Sequence, residues 1–147
     1  MKPKTSSPQK NKMPATATLE AGSKVREKRD TIRHKLERRL SSLRIDNEKC
    51  DSDPTFANAE AICELTCIIT GNALSTDFFG IDVDFPAIIG LFSDGLSAVK
   101  KAAERESNSR KKGLLNYYAE NIDNRIRVMK AMGSNGWEAA RKILDSF

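Results

Sequence analysis

Few residues of the kind that carry catalysis occur in this sequence. Its 147 residues include one histidine, and aromatic residues make up only 6%. That histidine, His34, lies between Arg33 and Lys35 in the basic helix, where we interpret it as a solvated residue on a charged face. No Gly-rich phosphate-binding motif of the GxxxxGK(S/T) or GxGxxG type is present. We therefore expect a protein that is not an enzyme and that needs no cofactor.

Cysteine is also scarce, with three residues at Cys50, Cys63 and Cys67. An odd number without a dense framework argues against a disulfide scaffold. Cys63 and Cys67 stand one helical turn apart, but no CxxC pair accompanies them. We interpret them as small core residues and expect no metal site.

Long apolar runs are missing as well. The longest, AICELTCIIT and FPAIIGLF, fall short of the roughly 18 to 20 residues that cross a bilayer. No apolar stretch follows the N-terminal lysines, which argues against a secretory signal peptide. We expect a cytoplasmic protein, although the Ser-, Thr-, Pro- and Lys-rich N-terminus leaves a non-classical export signal open.

The charges that are present divide sharply along the chain. Residues 1–44 contain thirteen Lys or Arg against four Asp or Glu, which is a net charge of +9. The total is +5, so the remaining residues carry a net charge of −4. A division of this kind is typical of a basic arm attached to a more acidic body.

The spacing of apolar residues predicts an all-α protein, a helical bundle of about four to five helices preceded by a disordered basic N-terminal tail. The predicted tail covers residues 1–18, where nothing apolar recurs, and a long basic helix follows over residues 19–45. The acidic segment 46–53 is the predicted linker, and the bundle occupies residues 54–147. We expect Asp53 to cap the second helix and Asn135, with Glu138, to cap the last one.

Two predicted helices form the centre of this bundle. Apolar residues lie almost all round the helix predicted over residues 56–74, which indicates a buried central element. The helix over residues 86–106 has one apolar and one charged side and resembles a membrane-active peptide. Its polar face includes acidic residues, whereas membrane-surface helices carry a mainly basic one. Gly95 lies within its apolar half, where we expect another helix to approach closely.

The basic helix also has a narrow apolar stripe, which resembles a coiled-coil seam. A long charged helix with one seam requires a partner helix, so we interpret this stripe as an assembly seam. Its residues are Val25, Ile32, Leu36, Leu40 and Leu43.

The basic residues of the same helix are the candidate binding site for an anionic partner. They are Arg26, Lys28, Arg29, Arg33, Lys35, Arg38 and Arg39. Ser41, in the run RRLSS, is a candidate phosphorylation site, because a phosphate there would reduce the positive charge of the arm.

Three binding functions follow from these features. The first is an assembly or adaptor protein that self-associates, or docks on a protein partner, through the basic helix. The alternative is sequence-independent nucleic-acid binding by the same helix, because no aromatic or amide side chains interleave its charges to distinguish bases. A minor alternative is an exported effector-like protein or one that binds a membrane surface; the mixed charges described above make membrane contact the weakest of the three.

One buried ion pair is predicted within the bundle. Arg125 falls inside the apolar arc of the fourth helix, where a guanidinium needs a partner or must reach water. Glu60 and Glu64 lie one turn apart on the second helix. We therefore predict that Arg125 pairs with one of these two glutamates across the bundle.

Overall fold

The structure is a computed structural model that describes the backbone of residues 15–146 and the side chains of residues 28–146. The chain forms helices α1 (Ala15–Ser52), α2 (Phe56–Phe78), α3 (Phe85–Arg105), α4 (Ser109–Asn135) and α5 (Trp137–Asp145). No strand occurs in the described part, which confirms the predicted all-α bundle. Of the tail predicted to be disordered, residues 1–14 lie outside the described residues, and residues 15–18 belong to α1.

Helix α1 runs straight through the segment predicted to be a linker. Residues 46–52 form its last turns, so the predicted boundary between arm and bundle is wrong. The physical reason is that Asn47 and Cys50 are buried: Cys50 continues the seven-residue spacing of Leu36 and Leu43, and Asn47 lies one helical turn after Leu43. The Cys50 thiol donates to the carbonyl oxygen of Ala98 at 3.7 Å, which ties this end of α1 to α3.

Helix α2 begins at Phe56, as the sequence indicates, and ends at Phe78, four residues later than expected. Thr55, rather than Asp53, caps it, because the Thr55 hydroxyl accepts from the backbone N–H of Asn58 at 3.2 Å. The helix contacts α1, α3 and α4 on one side. Its opposite side is exposed, so the prediction of a central element enclosed all round is wrong.

Helix α3 forms one wall of the bundle and packs most extensively on α4, with smaller contacts to α1 and α2. The Asp84 carboxylate caps it by accepting from the backbone N–H of Ala87 at 3.0 Å. Its amphipathic pattern therefore serves the protein's own core. None of the helices in the described part of the chain is long and apolar enough to span a membrane.

At Gly95, α3 approaches its neighbours closely, as the position of this glycine in the apolar half predicts. A Cβ atom there would lie 2.9 Å from Cγ2 of Ile62 and 3.0 Å from Oδ1 of Asn47. The Asn47 amide nitrogen donates to the carbonyl oxygen of Leu91 at 2.9 Å, which joins α1 to α3 beside this contact. The missing side chain thus allows three helices to meet.

Helices α4 and α5 are separated by Gly136, whose φ of 77° lies in the left-handed region that favours glycine. Asn135 is the last residue of α4, and α5 has no side-chain cap, so the capping box predicted for Asn135 is wrong. The core that these elements enclose is apolar. Its largest fully buried side chains include Phe92, Leu43, Ile62, Ile69, Ile88, Leu115, Ile122 and Met129.

Candidate functional site

The apolar seam of α1 is buried in the protein's own core over its described part. Leu36 and Leu43 are buried, and Leu40 packs against the same core while half-buried. Ile32 is half-buried, and the side chain of Val25 lies outside the described residues. The seam is therefore not a free assembly surface between Leu36 and Leu43. Its spacing is that of a coiled-coil helix, but the surface that covers it is the bundle of the same chain.

Some of the basic residues of α1 are held by neighbouring groups. The Arg29 guanidinium donates to the carbonyl oxygen of Gly80 at 3.4 Å, and Arg39 donates to Oδ1 of Asn72 at 3.5 Å. Both are half-buried. These two contacts hold α1 against α2 and against the loop that follows α2. The two arginines therefore have a structural role and are not available to a partner.

Two further basic residues have contacts but remain exposed. Arg33 forms an ion pair with Asp30 at 2.7 Å, one turn earlier on α1. The Lys28 ammonium lies 5.8 Å from the centroid of the Phe79 ring, within the range of a cation–π contact. The side chain of Arg26 lies outside the described residues.

Four exposed basic side chains form a line along one side of α1. At about 100° per residue, Lys28, Lys35, Arg38 and Lys49 fall within one arc of about 80°. All four are exposed. We call these four residues the basic stripe; the distance from Lys28 to Lys49 along α1 is about 31 Å.

Neutral polar side chains fill the space around the basic stripe. His34, Ser41 and Ser42 are exposed on the same outward side. The acidic residues Asp30 and Glu37 lie outside the arc but are also exposed on the outward side, where Glu37 borders His34 and Arg38. Within the arc itself, the charged residues from residue 28 to residue 45 are all basic. Ser41 lies one turn from Arg38, where a phosphate would oppose that charge directly.

A second feature is a groove between α2 and α4, which contains the residues of the predicted ion pair. Its volume is about 420 Å³. We call it the α2–α4 groove; it is lined by Glu60, Cys63, Glu64, Cys67, Ile68, Tyr118 and Arg125. As the sequence predicts, Arg125, Glu60 and Glu64 lie close together and line one groove.

The predicted ion pair itself is not formed. Among the described residues, the ion pairs within 4.0 Å are Arg33–Asp30 and Lys101–Asp51. Glu60 instead accepts a hydrogen bond from the Tyr118 hydroxyl at 3.0 Å. Glu64 is exposed, so water satisfies it, and the buried Nη1 of Arg125 has no acceptor.

The two cysteines of the groove are in different environments. Cys63 is 8% exposed, and burial raises the pKa of its thiol, while the charge of the nearby Arg125 partly opposes the rise. Cys67, one turn later, is exposed. In the part of the chain that the structure describes, no group of three or more His, Cys, Asp or Glu side chains is placed to hold a metal ion.

Exposed apolar residues on α2 escaped prediction: Ile68 because the helix was expected to be enclosed, and Phe78 because the helix was expected to end at residue 74. Phe78 is 84% exposed, and its ring lies edge-on to Phe79 with centroids 5.7 Å apart. Ile68 on the same helix is 43% exposed. Gly71 could have drawn attention to this side of α2. A glycine in the middle of a helix lowers the stability of the helix, so it is expected where another element packs closely against it.

Comparison with known proteins adds no further constraint: no protein-family model matches the chain, and no match was found among curated proteins or solved structures.

Proposed function

We propose that this protein binds nucleic acid without sequence preference, through the basic stripe of α1. The observation that carries the proposal is the exposed line of Lys28, Lys35, Arg38 and Lys49 on the outward side of a helix fixed to a bundle. Lysine and arginine side chains bind the phosphate backbone by releasing condensed counterions, which requires charge but no particular base. The helix fixes the spacing of these charges before binding, so little ordering is needed.

A nucleic-acid backbone suits this surface better than a protein partner does. Protein interfaces depend on apolar or aromatic anchors that become buried at their centre. Along the outward side of α1, the one large apolar side chain that is exposed among the described residues is Ile45, at 63%. The apolar seam that would have served a protein partner is buried in the core. Docking of an acidic protein on the same stripe is the competing function.

The test is a titration of labelled single-stranded and duplex DNA at several salt concentrations, followed by fluorescence anisotropy. The variant carries Lys35→Glu together with Arg38→Glu. The matched control carries Arg110→Glu together with Lys112→Glu, which makes the same charge change at exposed positions in the first turn of α4. Circular dichroism checks that both variants remain folded.

We expect the wild-type protein to bind both forms of DNA, with an affinity that falls as salt rises. For duplex DNA, the loss of two phosphate contacts should reduce the slope of log affinity against log salt by about 1.8. The Arg110 and Lys112 control should keep the wild-type slope. Equal losses in the two double variants would refute a local site. Binding of polyglutamate, but not of DNA, would establish the acidic-protein function instead.

A further inference from the structure

The outer face of α2 is a strip of side chains that the described helices leave uncovered. At about 100° per residue, six residues of α2 fall within about 40° of Gly71, and all but Glu60 are exposed: Ala57, Glu60, Glu64, Cys67, Ser75 and Phe78. No charged residue occurs from Leu65 to Thr76. A helix that is apolar on all sides is normally enclosed by other elements. This face therefore has the composition of a contact surface.

Gly71 lies in the middle of this face without an internal reason to be glycine. A Cβ atom at Gly71 would meet nothing within 4 Å. A glycine in a helix interior costs about 1 kcal/mol relative to alanine. With Cys67 and Ser75 one turn before and one turn after it, Gly71 would let a second helix approach closely, because interaxial distance depends on the side chains at the contact.

The two ends of the face differ in shape and charge. Near Glu64 the surface is concave and acidic, because the α2–α4 groove opens there. Near Phe78 it is convex and aromatic, with the Lys28 ammonium against the adjacent Phe79 ring. Glu64 and Phe78 are each seven residues from Gly71, which is about 10 Å along the helix in either direction.

We propose that a second copy of this chain occupies the face, with the two α2 helices antiparallel about a two-fold axis at Gly71. The axis places Phe78 of each copy at the α2–α4 groove of the other, whose volume of about 420 Å³ accepts a phenyl ring. It also places Lys28 of each copy beside Glu64 of the other. The interface is isologous, because one patch supplies both the convex and the concave part.

The choice of a second copy rests on this complementarity within a single surface. Phe78 and the α2–α4 groove at Glu64 lie at equal distances from Gly71, and the Lys28 ammonium lies against Phe79 at the Phe78 end. The proposal can be tested separately from nucleic-acid binding: it shares Lys28 with the basic stripe, but Lys35 and Arg38, the stripe residues changed in the DNA titration, take no part in it. All measurements of self-association are therefore made without nucleic acid.

The first test is sedimentation velocity over about a hundredfold range of protein concentration. We expect the wild-type protein to pass from monomer to dimer as the concentration rises. Phe78→Glu should remain monomeric throughout, and it should fold because Phe78 is 84% exposed. The control Ile45→Glu changes another exposed apolar residue, on α1, and should dimerise as the wild type does.

Charge reversal tests the antiparallel register. Glu64→Lys alone and Lys28→Glu alone should each weaken dimerisation roughly fivefold, since each brings like charges together. The double variant should recover the wild-type dissociation constant, because the pair is restored with its charges exchanged. Additive losses in the double variant would refute the register.

A cross-link tests the position of the axis. In a Cys67→Ser background, Gly71→Cys places the two introduced thiols opposite each other at the axis, where mild oxidation should join them. Ser93→Cys in the same background puts a thiol on the exposed side of α3 and should not cross-link at a comparable rate. A wild-type protein that stays monomeric at every concentration overturns the proposal. A dimer that Phe78→Glu leaves intact, or that Gly71→Cys does not cross-link, overturns it as well.

Discussion

Replacing Gly95 with alanine tests the packing of the three helices that meet at this residue. The added Cβ atom would lie 2.9 Å from Ile62 Cγ2 and 3.0 Å from Asn47 Oδ1. Neither neighbour can retreat easily. Ile62 is fully buried, and Asn47 is held by its 2.9 Å hydrogen bond to the Leu91 carbonyl oxygen. Either α3 moves away from α1 and α2, or Asn47 gives up its bond.

The magnitude follows from three opposing contributions. Overpacking a tight core contact costs about 1–3 kcal/mol, and losing the hydrogen bond of Asn47 costs about 1 kcal/mol more. Replacing glycine with alanine within a helix stabilises the helix by about 1 kcal/mol. We therefore expect Gly95→Ala to lower the free energy of unfolding by about 1–3 kcal/mol. For a chain of this length, that corresponds to a decrease in Tm of roughly 3–10 °C.

Gly90 provides a matched control on the same helix. A Cβ atom at Gly90 would meet nothing within 4 Å. Gly90→Ala therefore keeps the gain in helix propensity without the clash, and the protein should become more stable by up to about 1 kcal/mol. Urea denaturation followed by circular dichroism measures both variants. If Gly95→Ala were as stable as Gly90→Ala, the close approach of α3 to Asn47 and Ile62 would be refuted.

Three other expectations can be checked independently. Because burial raises the pKa of the Cys63 thiol, an alkylating reagent should modify the exposed Cys67 first, with Cys63 reacting only at higher pH; equal rates in a mass-spectrometric time course would contradict this. Arg125→Met removes a buried nitrogen that has no acceptor, so the free energy of unfolding in urea should rise by about 1 kcal/mol; a clear fall would show that Arg125 has a partner in solution. Ser41→Glu should weaken DNA binding severalfold in the anisotropy titration by opposing the charge of Arg38; unchanged affinity would remove Ser41 as a regulatory site.

The helices and their apolar faces could be predicted from the sequence because both depend on local spacing. The close approach at Gly95 was predictable for the same reason, since a glycine inside an apolar arc leaves room for a neighbour. The end of α1 was not predictable from composition. The acidic residues of segment 46–53 indicate a linker, whereas the buried side chains of Asn47 and Cys50 extend the helix onto α3.

The candidate sites show where local patterns stop being sufficient. Periodicity brought Arg125, Glu60 and Glu64 to one groove, but it could not show that the Tyr118 hydroxyl would bind Glu60. Periodicity also predicted a seam on α1 without showing that the bundle itself would cover it. In both cases the outcome depends on side chains that other helices bring to the contact. The spacing of apolar residues within one helix does not reveal them.

Ile68 was missed for a similar reason, whereas Phe78 was missed because the helix was expected to end at residue 74. An apolar pattern all round a helix predicts burial, and only the arrangement of the other helices reveals that one side of α2 stays open. The basic stripe was likewise visible as a charge excess, but its extension to Lys49 depends on α1 continuing to Ser52.

The most direct test of the central claim is the salt dependence of DNA binding by the variant with Lys35→Glu and Arg38→Glu. This variant should lose affinity for duplex DNA, and its salt slope should fall by about 1.8, while the variant with Arg110→Glu and Lys112→Glu should bind as the wild type does. A wild-type protein that fails to bind DNA at low salt, or a stripe variant that binds as tightly as the Arg110 and Lys112 control, would contradict the claim.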